Sequence, residues 1–161
     1  MNEQQEAAKK TTLRLIPYGL YILGARDGDE MAAGAINWVT QTSFAPPLVA
    51  MGVKTDSNLY AVLKRSGKFG LSFLASGQKD LAFAFFKPTV VEGDKINGHH
   101  FETQETGAPI ITSATAWVEG TVRGELNLGD HSLFVGEVTN AHVRAEGPML
   151  TLDEAGVKYG G

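Results

Sequence analysis

The chain has 161 residues, 43% of them hydrophobic, with 19 glycines, no cysteine and a formal net charge of −4. That length and apolar content suit one ordinary hydrophobic core, and the missing cysteine excludes disulfides, thiolate catalysis and thiolate metal sites. The acidic balance argues against a nucleic-acid surface, which needs a basic patch, while the glycines and the scarcity of long apolar helical patterns point to a β-rich domain.

Residues 1–12 are a polar lead, a short helix or a disordered arm. They lack the apolar core of a signal peptide, and no run is long enough to span a membrane, so a soluble, cytoplasmic protein is expected. Residues 13–161 read as one domain. Within it, residues 18–25 suit a strand, Arg26, Asp27, Gly28 and Asp29 signal a turn, and residues 31–39 form the returning strand of a hairpin. Residues 48–53 (LVAMGV) make a short buried strand. Asp56 or Ser57 then caps a helix with Leu59, Val62 and Leu63 on its apolar face and Gly67 at its end. Phe69, Leu71 and Phe73 alternate as a strand, and GQKDLAFAFFKP is a second short helix ending before Pro88. Residues 89–98 read as loop, residues 114–124 and 132–143 as strands joined by a turn at 127–131, and the tail as a short strand, a turn and an aromatic end. About six or seven strands with two inserted helices suggest a Greek-key barrel.

The stretch GAINWVTQTSFAPPLV, residues 34–49, departs from a plain strand-and-loop pattern. Asn37, Trp38, Thr40, Gln41, Thr42 and Ser43 are hydrogen-bonding side chains with no Lys or Glu among them, and Trp38 is costly to leave in water. Just beyond lie Lys54, Ser57 and Asn58 at a helix start, where free backbone N–H groups favour a phosphate. Asp56 would repel that phosphate unless it points away. An aromatic, polar-edged strand beside a phosphate cradle suits a flat heterocycle with a phosphate tail, and flavin mononucleotide (FMN) fits that description. Burying about 200 Å² of apolar ring gives roughly 5 kcal/mol, whereas micromolar binding needs about 8 kcal/mol net, so phosphate contacts must contribute strongly.

Residues 34–58 together with SGKFGLSFLASGQKDLAFAFF and GDHSLFVGEV resemble the flavin reductase-like, FMN-binding split-barrel family, over about residues 11–160. The ending AGVKYGG is similar to the closing strand of flavin reductase domains fused to diiron flavoproteins. The resemblance implies a mainly β, split β-barrel of Greek-key type with short inserted helices. It implies an NAD(P)H-dependent flavin reductase in which hydride passes from nicotinamide C4 to flavin N5, with no obligate protein nucleophile. The alternative is an electron-transfer flavoprotein whose FMN a protein donor reduces. By the same resemblance, Asn37, Trp38, Val39 and Thr40 contact the ring, Ser43 lies nearer the ribityl–phosphate end, and Lys54, Ser57 and Asn58 sit on the phosphate side. Ala75, Ser76 and Gln78 close on the ring or ribityl with Phe86 nearby, and His131 lies near the ring and the nicotinamide site. FMN is the implied cofactor, with FAD open; NADH or NADPH is the donor, and free flavin, ferric iron, a flavin-dependent monooxygenase or an electron-transfer protein such as rubredoxin is the acceptor. Homodimerisation is implied as well. Each residue also has a plainer reading: a core or interface Trp38, a solvated Lys54, a helix-start Gln78, a core Phe86, a turn His131. Adjacent His99 and His100 make a poor metal pair, and no metal site is expected.

Overall fold

The computed structural model describes residues 1–161. Gly28 and Asp29 turn the chain between β1 (Tyr21–Asp27) and β2 (Glu30–Ile36), which pair antiparallel from Tyr21 opposite Ile36 to Asp27 opposite Glu30. β3 (Val39–Ser43) and β4 (Leu48–Lys54) follow, then α2 (Asn58–Ser66) and β5 (Lys68–Phe73). The long hairpin of β10 (Ala116–Asn127) and β11 (His131–Val143) completes a seven-stranded sheet in the order β2-β1-β5-β10-β11-β4-β3. Every pairing in it is antiparallel.

β1 is buried on both faces, and its period of two divides the core. Ile22 packs into a cluster with Leu74, Leu81, Phe85, Ile111 and Leu152. Leu23 and Ala25 face the opposite way, into Met51, Phe69, Leu71, Phe134 and the apolar face of α2. The first cluster is roofed by α3 (Lys79–Ala84), α4 (Leu152–Ala155) and a small sheet of β6 (Val91–Glu92), β7 (Lys95–Ile96), β8 (His99–Thr103) and β9 (Pro109–Ile111). Glu119 is a buried carboxylate at a bulge of β10. It accepts from the amides of Glu105 and Thr106 at 2.9 and 3.1 Å and from Asn140 Nδ2 at 2.9 Å, so its charge is matched by donors.

The mainly β, antiparallel architecture is the expected one, but several elements differ from their sequence expectation. Of the two alternatives for the polar lead, the structure has the helix, α1 (Glu3–Leu13), opened by a capping box of Asn2 and Gln5. The strand expected over residues 31–39 stops at Ile36, and the chain crosses through Asn37 and Trp38 to the other edge of the sheet. The loop expected over 89–98 contains β6 and β7. The tail strand is reduced to bridges at Met149 and Thr151, and α4 follows with Thr151 as its N-cap.

The barrel does not close. The outer edge of β2 is taken by the segment after α3: Ala35 N donates to Phe85 O at 3.0 Å, and Thr89 Oγ1 accepts from Ala33 N and donates to Ala33 O, both at 3.1 Å. At the far edge β3 pairs only with β4.

Candidate functional site

A cavity of about 690 Å³ opens along this unclosed seam. Its walls come from the end of β2, the crossover residues Asn37 and Trp38, the end of β4, the first residues of α2, the segment Phe83 to Thr89, His131, and the tail residues Val157 and Tyr159. Volume and a mainly apolar lining suit a small organic ligand.

Trp38 forms one wall. Its carbonyl accepts from Gly52 N at 2.8 Å, so the ring lies across β4. A Cβ at Gly52 would fall 3.1 Å from Trp38 Cβ and 3.2 Å from Trp38 Cε3, which is why the smallest residue stands there. Trp38 packs against His131 with ring centroids 4.5 Å apart and against Tyr159 at 5.4 Å. Two buried donors here, Asn37 Nδ2 and Trp38 Nε1, have no hydrogen-bond partner within the protein. Asn37 is only 6% exposed, so an unmet donor there is costly unless something else satisfies it.

The polar end is set by register. Lys54 ends β4 opposite His131, the first residue of β11. Ser57 is the N-cap of α2; its Oγ accepts from Tyr60 N at 3.1 Å and donates to Lys54 O at 2.7 Å. Its hydroxyl is therefore committed to the cap, and the open amides of the first turn are what α2 offers an anion. Asp56 does not cap: it pairs with Lys54 at 3.4 Å, both side chains largely exposed. Lys87 also lines the cavity and has no carboxylate partner. No Asp or Glu lines the cavity, although the chain as a whole is acidic. The local field thus favours a negative ligand.

His131 sits between two partners: Nδ1 is 2.8 Å from Asp130 Oδ1 and Nε2 is 2.6 Å from the Tyr159 hydroxyl. The hydrogen bond from His131, above all, holds the Asp130 carboxyl below its ordinary range. Burial pushes the Tyr159 phenol up.

Of the residues singled out in the sequence, Asn37, Trp38, Lys54, Ser57, Asn58, Phe86 and His131 line the cavity together. Val39, Thr40 and Ser43 lie on β3, outside it. Ala75, Ser76 and Gln78 lie outside as well and fasten the chain to itself. Gln78 Oε1 accepts from Ala75 N at 2.8 Å, Gln78 Nε2 donates to Ser113 O at 2.9 Å, and Ser76 Oγ and Gly77 N both donate to Glu154 of α4. Sequence reasoning missed Lys87, Thr89 and Tyr159. The only local signal was a lysine beside Pro88, and an aromatic in a glycine-rich tail. His100 pairs with Asp94 at 3.0 Å, and no three metal-ligating side chains gather anywhere.

Flat aromatic walls, unmet donors and two lysines, with no acid in the lining itself, set on the seam of an antiparallel sheet, suit a planar, anionic heterocycle. Residues 13–159 match the family described as "Flavin reductase like domain". The chain belongs to that family. It is 32% identical over 140 residues to the ferric-chelate reductase (NAD(P)H) of Archaeoglobus fulgidus, covering 84% of this chain and 82% of that protein. It is also 32% identical over 131 residues, 80% of its length, to diflavin flavoprotein A 1 of Synechocystis sp., but spans only 23% of that longer protein. Among solved structures, BorF, the flavin reductase component of a bacterial two-component tryptophan halogenase, superposes with a TM-score of 0.79 at 25% identity, over 97% of both chains.

Proposed function

We propose that the protein is an NAD(P)H-dependent flavin reductase that binds FMN, or FAD, in the cavity at the open seam. One observation carries this reading: an acid-free cavity joins a Trp38 wall and two unmet donors to Lys54, Lys87 and the start of α2. The residues fit a flavin. Asn37 Nδ2 and Trp38 Nε1 offer hydrogen bonds to a ring edge that accepts them, and Phe85 and Phe86 give apolar surface for the benzenoid side. Lys54, Lys87 and the first amides of α2 hold the phosphate, and Ser57 acts by fixing that helix start. Flavin bound there supplies the hydride acceptor for a nicotinamide. Trp38 and His131 set the plane of the stack, and the apolar lining keeps water from the reacting faces.

Homodimerisation belongs to this reading. β3 leaves one edge unpaired, and Phe44 next to it is 90% exposed. A second copy would cover both and bring Thr40 and Ser43 into an interface. No helix is long and apolar enough to cross a membrane. The test is the visible spectrum of the purified protein with added FMN, before and after anaerobic NADH and then NADPH. Bleaching by either supports the reductase. Bound flavin that stays oxidised overturns it in favour of reduction by a protein donor, and no uptake of FMN or FAD overturns the site.

A further inference from the structure

α1 has no buried residue, yet the last residues of the chain close against its C-terminal end. Arg14, its C-cap, donates from Nε to Gly160 O at 3.0 Å. Gly161 lies so close that a Cβ there would fall 2.7 Å from Lys10 Cγ. Two residues before Gly161, Tyr159 enters the cavity and meets His131 Nε2 at 2.6 Å. Beyond Val157, the tail's backbone amides donate no hydrogen bond to other backbone. Its placement therefore depends on the Tyr159 and Arg14 contacts.

Proton placement follows from the partners. An ionised carboxylate only accepts, so Asp130 Oδ1 takes a hydrogen from His131 Nδ1. In a neutral imidazole the other nitrogen must then accept, and the hydroxyl of Tyr159 is the donor in reach. The His131 ring is thereby pinned at both ends and held against Trp38.

We propose that Tyr159 is a positioning residue of the cavity: its O–H donates to Nε2 of His131, whose Nδ1–H tautomer Asp130 sets, and holds the ring against Trp38, while Arg14 latches the tail that carries it. The placement stands on these contacts; its consequence for turnover rests on the reductase reading above. The Tyr159 oxygen, having donated inward, keeps acceptor capacity at the cavity mouth.

Flavin-free protein carrying ¹⁵N-histidine separates the two. At about pH 8, where a free imidazole is neutral and prefers the Nε2–H form, the wild-type His131 resonances (assigned with His131→Gln) are expected to show a protonated Nδ1 and an unprotonated Nε2. In Tyr159→Phe, Asp130 still accepts from Nδ1, so the tautomer persists, but the Nε2 resonance moves downfield as that nitrogen loses its donor, and Arg14→Ala moves it in the same direction. With flavin and NAD(P)H, Tyr159→Phe lowers kcat about fivefold, the worth of one net hydrogen bond, while flavin affinity stays unchanged. Identical His131 shifts in wild type and Tyr159→Phe overturn the proposal, as does a moved Nε2 resonance with unchanged kcat. A wild-type protein that reduces no flavin, with the Nε2 resonance still moved in Tyr159→Phe, supports the placement and fails the reductase reading instead.

Discussion

Asp56→Asn is expected to tighten the binding of FMN, an uncommon direction for a substitution beside a ligand site. Lys54 Nζ stands 3.4 Å from Asp56 Oδ2, so part of its charge is answered before any phosphate arrives. At that separation the Coulomb attraction is about 1 kcal/mol in water and about 5 kcal/mol at the effective dielectric of a protein surface. The side chains are 56% and 72% exposed, so the watery end applies, and surface pairs typically contribute about 0.2–1 kcal/mol. Releasing Lys54 and removing a like charge from the phosphate's neighbourhood should together lower the FMN dissociation constant about fivefold. Fluorescence titration reads this directly, and riboflavin, which has no phosphate, is the control. The gain should shrink from about 50 mM to about 500 mM salt as screening shortens the reach of both charges. Asp56→Asn with unchanged FMN affinity, or with equal tightening of riboflavin, would refute the placement of the phosphate beside Lys54. A gain in affinity also cannot be mistaken for misfolding.

Lys87→Gln should weaken FMN about 10- to 100-fold in calorimetry and leave riboflavin nearly untouched, since an unpaired lysine gives its whole charged hydrogen bond to the ligand. Gly52→Ala should push Trp38 off β4, red-shift its fluorescence on exposure and lower stability by about 1–3 kcal/mol in urea melts, because its Cβ would stand 3.1 Å from that of Trp38. An unchanged melt would mean that Trp38 adjusts freely. Glu154 tests pH dependence. The Ser76 hydroxyl first, then the Gly77 amide, hold its carboxyl below the ordinary 4.5, so the unfolded chain binds that proton more readily than the folded one. Its contribution is full above 4.5 and is lost as pH falls through the lower folded-state value. Glu154→Gln should therefore melt earlier than wild type at neutral pH, with the gap closing in acid; a gap that persists in acid removes the hydrogen-bonded carboxylate as its cause.

The elements that the sequence predicts well are those whose signals are local. The Gly28 and Asp29 turn, the Ser57 cap with Leu59, Val62 and Leu63, and the alternation of Phe69 and Leu71 all act within a few residues. No glycine or proline interrupts the chain from Ile36 through Val39, so no local breaker shows that the ladder partner changes from β1 to β4 between them. α4 is four residues long, too short for helical periodicity, and its neighbours Leu150 and Leu152 read as strand. Tyr159 reaches His131 across 28 residues, and Thr89 reaches Ala33 across 56. Such partners are chosen by tertiary packing. The same limit applies to Ser76 and Gln78: their polar types mark a fixed loop, and only the structure shows that Glu154 and Ser113 are what they bind.

The unclosed seam links the fold to the chemistry. Were β2 and β3 to pair, their edge donors and acceptors would be consumed, and Asn37 and Trp38 would become the tight turn of a hairpin. Phe85 O and Thr89 Oγ1 satisfy β2 in their place, and doing so draws Phe86, Lys87 and Pro88 alongside the gap. Gly52 lets Trp38 lie flat against β4, and the register of β4 with β11 sets Lys54 beside His131. The short donors and acceptors at residues 37–43 thus divide in two. Asn37 and Trp38 keep unmet donors at the crossing, and Thr40 to Ser43 run along an open edge. On the flavin-binding reading, substitutions that let the edges pair would shut the cavity.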